Sequence, residues 1–535
     1  MIDQNSTEAL SIEIFRQLFT ALTEEMGSSL RRAAFSPNIK ERRDYSCALF
    51  NPLGIAVALG DHMPVHLGAM PLSVKTALDE LGPLEKGDVA CLNDPYRGGT
   101  HLPDITMISP VIANDSSTNL GYVASRAHHS DVGGMTPGSM PLAREIYQEG
   151  LIIPPIKLYR KGEINEELYS LILANVRTPV ERRGDLEAQL AALHTGAKRL
   201  LEIASKHGSS ITLHFMDRLI DYADRLVLLG LKKIPNGTYV GKDFMDDDGF
   251  GKVDIPVCVK IIKHSKGLDI DFSGSSRQVT GGINAVEAIT SSATRYVIRC
   301  VIEHLLGESL PAGGGSMSAV NMILPNGSIV NANPPASVAA GNVETSQRIT
   351  DVLLLAFAEA LPDLIPALSQ GTMNNLTIGG SDPRVDEPFT YYETAGGGMG
   401  AGPNRHGLSG VHTHMSNSLN TPIEALEHAY PFQVEHYSII RESGGKGLFC
   451  GGDGLRREIK LLADSEVTLL TERRRRGPLG MHGGEDGSPG KNILTRDGKK
   501  KILPAKISFQ GRQGDIVGVH TPGAGGWSKT KLEGE

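Results

Sequence analysis

The amino-acid sequence predicts an α+β fold: a mixed, multi-layer architecture with a long N-terminal helix, central helices and antiparallel β regions. Three observations lead there. Apolar residues recur at helical spacing over residues 6–34, 185–207 and 213–231. Between residues 237 and 273 that period gives way to alternation, the signature of half-buried antiparallel strands. The 62 glycines gather in turn-like clusters without a fixed period, which calls for many tight connections and excludes a collagen repeat or a flexible linker.

Residues 6–34 read as an amphipathic helix, with Ser6 or Thr7 as its cap, Phe15, Leu18, Leu22, Met26 and Leu30 on one face, and Pro37 as its stop. Residues 53–67 are short apolar runs broken by Gly and Pro, hence strands and turns, and residues 72–81 form a helix ended near Gly82-Pro83. Val89-Ala90-Cys91-Leu92, residues 105–112 and residues 120–125 are strand candidates. Helices follow at 185–207 and 213–231, and antiparallel strands at 253–261 and 267–272. Residues 290–306 and 351–361 are helical, residues 423–428 start a short helix, and residues 447–527 form a twisted, glycine-rich β region. Composition shifts suggest three regions: a metal-binding N-terminal one (1–235), a mixed α/β central one (236–434) and a glycine-rich β C-terminal one (435–535).

Composition excludes several function classes. A net charge of −8 provides no basic field, and 5% aromatics with one Trp give little for bases to stack on, so no nucleic-acid partner is expected. No run of about 18 apolar residues occurs, so no membrane span is expected. The N-terminus lacks the basic and apolar regions of a secretion signal. Five scattered cysteines without a CxxC suit a reducing compartment, and the cytoplasm is the expected location.

The chemistry concentrates at residues 93–134. Asn93-Asp94-Pro95-Tyr96-Arg97-Gly98-Gly99-Thr100-His101-Leu102-Pro103-Asp104 precedes one apolar run, and Ala127-His128-His129-Ser130-Asp131-Val132-Gly133-Gly134 follows another. Neutral imidazole and ionised carboxylate are the ligands of a divalent metal outside a thiolate site, and glycine-rich backbone lets them converge. Asp44 precedes a further apolar run, Cys47-Ala48-Leu49-Phe50. Asp44, His101, Asp104 and His128 make a two-His, two-carboxylate set suited to Zn, Mn, Fe or Co. The plainer alternative is a His pair satisfied by hydrogen bonds in a core.

With those segments in view, the chain resembles the hydantoinase B family: the B component of N-methylhydantoinase, related to 5-oxoprolinase and more distantly to acetone and acetophenone carboxylase subunits. Carrying segments include both clusters above, Glu145-Ile146-Tyr147-Gln148-Glu149-Gly150, Gly341-Asn342-Val343-Glu344-Thr345-Ser346-Gln347-Arg348, His412-Thr413-His414-Met415-Ser416-Asn417-Ser418 and Pro522-Gly523-Ala524-Gly525-Gly526-Trp527. Pro311-Ala312-Gly313-Gly314-Gly315 departs from the more polar sequence expected there, which bears on substrate identity. The resemblance implies an ATP-dependent cyclic amidase of two kinds of subunit. This chain would hold one divalent metal on Asp44, His101, Asp104 and His128. A hydantoinase A-like ATPase partner would hold ATP and Mg, and the substrate would be a small cyclic amide. A ketone carboxylase subunit, or a non-catalytic scaffold with a structural metal, are the alternatives.

In that chemistry ATP activates a lactam carbonyl, the metal lowers the pKa of a water, and a base completes proton transfer. His129, Asp131 and Glu344 are the candidate bases. Asp131 is equally suited to orienting a His or holding the turn before Gly133-Gly134, and Glu344 to a helix's first turn. Arg97 is a candidate substrate or phosphate clamp, or a surface ion pair. His412 and His414, two apart, would share one face of a strand. The run Arg473-Arg474-Arg475-Arg476 would face ATP phosphates from a partner or lie ion-paired. No Gly-x4-Gly-Lys-Ser/Thr pattern occurs, so no nucleotide site is assigned to this chain.

Overall fold

The computed structural model describes residues 4–60, 62–115, 117–315 and 317–528. The first layer is built by α1 (Gln4–Ala33), α2 (Pro37–Lys40), β1 (Tyr45–Phe50), β2 (Ala56–Leu59), α3 (Pro64–Leu67), α4 (Met70–Leu81), β3 (Val89–Leu92), β4 (Asp104–Ile112), β5 (Asn119–His128), β6 (Ile156–Arg160) and β7 (Glu163–Ile164). The strands form one antiparallel seven-stranded sheet in the order β2-β1-β5-β4-β3-β6-β7. After α5 (Glu166–Ala174) come two long helices, α6 (Pro179–His207) and α7 (Ser209–Leu231).

Side-chain parity decides which residues meet. Cys47, Leu49, Met107, Val123 and Ala127 join the large core that includes Leu22, Met26 and Leu30 of α1 and Leu193 of α6. Ala48, Phe50, Ile108, Tyr122 and Ala124 point the other way, into a smaller core under Met70, Val74 and Ala77 of α4. Both faces are covered, which is why Tyr45–Phe50 is buried throughout instead of alternating. Ser6 and Thr7 lie inside α1, which starts at Gln4, so neither is its cap.

The second sheet has β8 (Gly237–Asp247), β9 (Val253–His264), β10 (Gly267–Asp271) and, after α8 (Glu287–Leu306), β11 (Val320–Ile323). Its order is β11-β10-β9-β8, antiparallel except for the parallel pair β10–β11. A π-helical turn, Gly341–Thr345, leads directly into α9 (Ser346–Ala360). The remaining strands are β12 (Asn375–Asp382), β13 (Glu387–Glu393) and, after α10 (Ile423–Ala429), β14 (Phe432–Ile440), β15 (Gly454–Leu461), β16 (Ser465–Leu470), β17 (Lys491–Arg496), β18 (Lys499–Leu503), β19 (Lys506–Gly511) and β20 (Ile516–His520). They interleave into sheets ordered β13-β12-β16-β19 and β14-β15-β20-β17-β18. The strands at 447–527 divide between two sheets, and β16 and β19 complete one begun at Asn375. Overall the fold is α+β, as its periodicities predict.

The arginine run is ion-paired: Arg473 is buried, while Arg475 and Arg476 are exposed. Arg473 Nη2 lies 2.6 Å from both Asp243 and Asp351, which also bind the buried Arg348. Arg475 and Arg476 pair with Asp254. The basic density is neutralised locally and ties β8 and α9 to the C-terminal sheets.

Candidate metal centre

β4 begins at Asp104 and β5 ends at His128, and these two residues face each other across the ladder. Equal parity places both side chains on the α4 face of the sheet. The preceding turn delivers His101. Asp94 caps it by accepting from Tyr96 N at 3.0 Å, with Pro95 in its first position. Asn93 Nδ2 donates to the carbonyls of Leu102 and Leu151 at 2.8 and 3.0 Å, clamping the far side. At Gly99 a Cβ would lie 2.4 Å from the Asn93 carbonyl, so only glycine passes there. The Asn-Asp-Pro…Gly-Gly…His-x-x-Asp pattern is therefore the specification of one rigid turn.

His101, Asp104 and His128 each offer a ligand atom within 4.8 Å of the others, the one such group among the described residues. His101 Nδ1 faces the Ala339 carbonyl at 3.2 Å. A carbonyl only accepts, so Nδ1 carries the proton and Nε2 keeps its lone pair. That Nε2 is 3.3 Å from Asp104 Oδ1 and accepts from Asn342 Nδ2 at 3.0 Å. Asp104 Oδ2 accepts from Thr100 Oγ1 at 2.6 Å and lies 3.5 Å from His66 Nε2. His128 Nδ1 meets Asn38 Nδ2 at 3.0 Å, and the ring stacks on Tyr392 with centroids 4.3 Å apart. Asp44 is buried beside the cluster, outside the 4.8 Å group, and lines the same small void with His66, Asp104, His128, Asn342 and Tyr392. The void measures about 10 Å³, room for a single water or ion and no substrate.

The electrostatics suit a cation. Burial pushes the Asp104 carboxyl up, but His101 and His66 outweigh it and hold the group well below the usual range. Burial and the neighbouring His101 hold His128 well below the usual imidazole range, so the ring is neutral. Asp44 is pushed up, chiefly by burial, and Arg42 and His66 only partly offset that. Three buried polar atoms at the void, His128 Nε2, Asp104 Oδ1 and Asn342 Oδ1, have no hydrogen-bond partner. Such orphans call for a missing partner, and two imidazoles with a carboxylate are a donor set that a divalent ion takes. The residues present fit a metal.

The other sequence candidates divide. His129 has the opposite parity to His128 and points to α6, where its Nε2 donates to Gln189 Oε1 at 2.9 Å. Gln189 Nε2 in turn donates to the Ile105 carbonyl at 3.0 Å, which fixes the amide. Burial pushes His129 down to about 4. Asp131 holds its turn, accepting from Gly133 N, Gly138 N, Arg177 N and Arg177 Nη1. Arg97 is a surface residue paired with Glu80. Glu344 lies fully buried in the π-helical turn, with Oε1 accepting from Asn375 Nδ2 at 2.7 Å and Met373 N at 3.1 Å. Its Oε2 has no hydrogen-bond partner, and burial pushes the carboxyl up to about 8. Asn375 Oδ1 accepts from the hydroxyl of Tyr392, the ring stacked on His128, so Glu344 connects to the wall of the void.

His412 and His414 lie outside the strands, and His414 has φ +57°, so the shared-face expectation is corrected. Their Nδ1 atoms meet Ser416 Oγ at 2.9 Å and Tyr296 Oη at 3.4 Å. Sequence reasoning missed His66, Asn38 and Tyr392. His66 is a lone His in a short Pro-started helix, and its one signal is being polar in an apolar run. Asn38 carried a cue: Ser36-Pro37 starts a helix at Pro37, with Ser36 Oγ accepting from Ile39 N.

The family model described as Hydantoinase B/oxoprolinase matches residues 8–530, and the chain belongs to that family. An uncharacterised protein of Methanocaldococcus jannaschii is 40% identical over 97% of this chain and 90% of its own length. 5-Oxoprolinase 1 of Arabidopsis thaliana is 39% identical over 98% of this chain, which spans 42% of that protein. The crystal structure of ATP-dependent caprolactamase from Pseudomonas jessenii superposes with a TM-score of 0.88 at 26% identity, covering 97% of this chain and 91% of the other. Among the described residues no helix is long and apolar enough to cross a membrane.

Proposed function

We propose that this chain is the metal-binding subunit of an ATP-dependent cyclic amidase that hydrolytically opens a hydantoin, 5-oxoproline or lactam ring. It would act with a hydantoinase A-like ATPase subunit that holds ATP and Mg. The observation that carries the reading is the cluster of His101, Asp104 and His128 with its three unpartnered polar atoms, in a chain whose relatives are named for the lactams 5-oxoproline and caprolactam.

His101, Asp104 and His128 would hold one divalent ion, Zn, Mn, Fe or Co, with Asp44 beside them. Bound there, the ion supplies Lewis acidity: it polarises oxygen and brings the pKa of water toward neutrality. The chain's residues do the rest. The Ala339 carbonyl fixes the His101 tautomer, and Asn38 and Tyr392 fix the His128 ring plane. Of the three candidates for proton transfer we assign Glu344, as the proton donor. It is protonated at neutral pH, carries a free Oε2 and connects to the void through Asn375 and Tyr392. His129 and Asp131 support the second cluster from behind, and Arg97 stays at the surface.

The test is turnover by the chain with a hydantoinase A-like ATPase, MgATP and each of hydantoin, N-methylhydantoin, 5-oxoproline and caprolactam. Ring opening that needs both proteins and ATP is expected. ATP-dependent carboxylation of a ketone with bicarbonate, without ring opening, would replace this reading with the carboxylase one. Loss of assembly together with activity in His101→Ala would favour a structural metal in a scaffold.

A further inference from the structure

A second cavity lies away from the metal centre. It measures about 530 Å³ and lies among α4, α8, the β1–β2 connection and the loop at 312–315, within the size range of small-molecule sites. Its walls are mostly apolar, with Leu59, Leu72, Met317 and Met322 among them. Two arginines of α8, Arg295 and Arg299, line it one turn apart on the same helix face.

Their partners differ. Arg299 is saturated: Nε pairs with Glu303 at 2.9 Å, and its Nη atoms donate to the carbonyls of Leu310, Pro311 and Ala312. It pins the glycine loop as a wall. Arg295 has no hydrogen-bond or ion-pair partner among the described residues. Burial pulls its ionisation below the ordinary arginine range, offset in part by the charge of Asp224. Of the other charged residues lining the cavity, Lys75 and Asp79 pair with each other, so they do not serve Arg295. Glu287 lies two turns before Arg295, in the first turn of α8.

The helix approach that positions Arg295 is built. At Gly68 a Cβ would stand 2.6 Å from Ser292 Cα and 2.9 Å from Arg295 Cδ, so glycine lets α3 close on α8. Ser292 Oγ donates to the Val65 carbonyl at 2.6 Å and accepts from Gly68 N at 3.2 Å. The same short segment has Met63, Val65 and His66 on the void of the metal centre and Gly68 on the cavity. One helical turn separates the two.

We propose that this cavity binds a small aliphatic monocarboxylate, its carboxylate held by Arg295 and its carbon chain against Leu59, Leu72, Met317 and Met322. A single free guanidinium matches a single negative charge, and a guanidinium fork takes a carboxylate with two parallel hydrogen bonds. A phosphate dianion would remain half neutralised in walls this apolar. The inference is independent of ring opening: it needs neither metal nor partner subunit.

The test is calorimetric titration of the full chain with hexanoate and, separately, with its neutral isostere hexanamide, for wild type, Arg295→Gln and Arg295→Lys. Wild type is expected to prefer hexanoate by about tenfold or more, the range of a charged hydrogen bond. Arg295→Gln should lose that preference while its hexanamide affinity stays level, and Arg295→Lys should recover part of it. Equal affinity of wild type for the two probes, no binding of either, or an unchanged preference in Arg295→Gln would overturn the proposal. A crystal of wild type soaked in hexanoate gives an arm that no variant's folding can disturb. Carboxylate density at Arg295 is expected, and an empty cavity overturns the proposal.

Discussion

Glu344→Gln should make the protein less active and, at alkaline pH, more stable. The buried carboxyl has its pKa pushed from 4.5 to about 8, so the folded state holds a proton that the unfolded chain releases above pH 4.5. A raised pKa means that stability is greatest below 4.5 and is lost as pH rises through 8. The whole gap corresponds to ~5 kcal/mol at 1.36 kcal/mol per pH unit, of which about 3 kcal/mol falls between pH 5.5 and 8.5. Gln keeps an oxygen for the Asn375 and Met373 donors and cannot ionise, so it lacks this pH dependence. With an unfolding entropy of ~2 cal/mol/K per residue, the variant's midpoint should gain about 3 °C on wild type between those pH values. Scanning fluorimetry at pH 5.5 and 8.5 reads the difference, and titrations common to both proteins cancel. Parallel pH profiles, or a wild type that gains on the variant as pH rises, would refute the assignment of a desolvated, protonated Glu344.

Other expectations follow from the same geometry. His129→Gln should flatten an acid-side loss of stability: a ring held at about 4 in the folded state stabilises above the ordinary 6.5, and that contribution disappears as pH falls toward 4, which denaturation at pH 7 and 4.5 reads. The same variant should keep its metal content, because the ring lies on the α6 side of the sheet. Gly341→Ala places a Cβ 1.9 Å from the Asn284 carbonyl and must shift the π-helical turn carrying Asn342 and Glu344; a loss of about 1–3 kcal/mol is expected from the strain, with activity lost alongside. Arg97→Ala, by contrast, removes an exposed ion pair to Glu80; stability should stay within about 0.5 kcal/mol in thermal melts and KM should be unchanged.

Much of the centre was legible because β hairpins obey simple arithmetic. Two apolar runs joined by a short turn pair antiparallel, so a ligand just before one run and another at the end of the next meet at the same end of the ladder, as Asp104 and His128 do. The same arithmetic separates His128 from His129, since neighbours on a strand point to opposite faces. Long helices were legible from period alone, although α6 starts at Pro179, a residue suited to the first helical position, and not at Asp185. What sequence hides is tertiary. His66 reaches Asp104 only because α3 packs against β1 and α8, with Ser46 Oγ at 2.9 Å from His66 Nδ1. Tyr392 reaches His128 from a different sheet altogether. The run at Arg473 reads as an exposed basic patch because its neutralising carboxylates, Asp243 and Asp351, lie more than a hundred residues away in sequence. The open space at Arg295 has no one-dimensional signal, for an arginine's lack of a partner is a property of everything packed around it.

His101, Asp104 and His128, beside Asp44, are expected to hold one divalent ion. Elemental analysis of the purified chain, together with an Asp104→Asn/His128→Ala double variant, tests it most directly. About one divalent ion per wild-type chain and less than about a tenth of that in the variant are expected when two ligands of one site are removed. A wild type with no ion above the buffer blank, or a variant that retains its ion in full, would contradict the account.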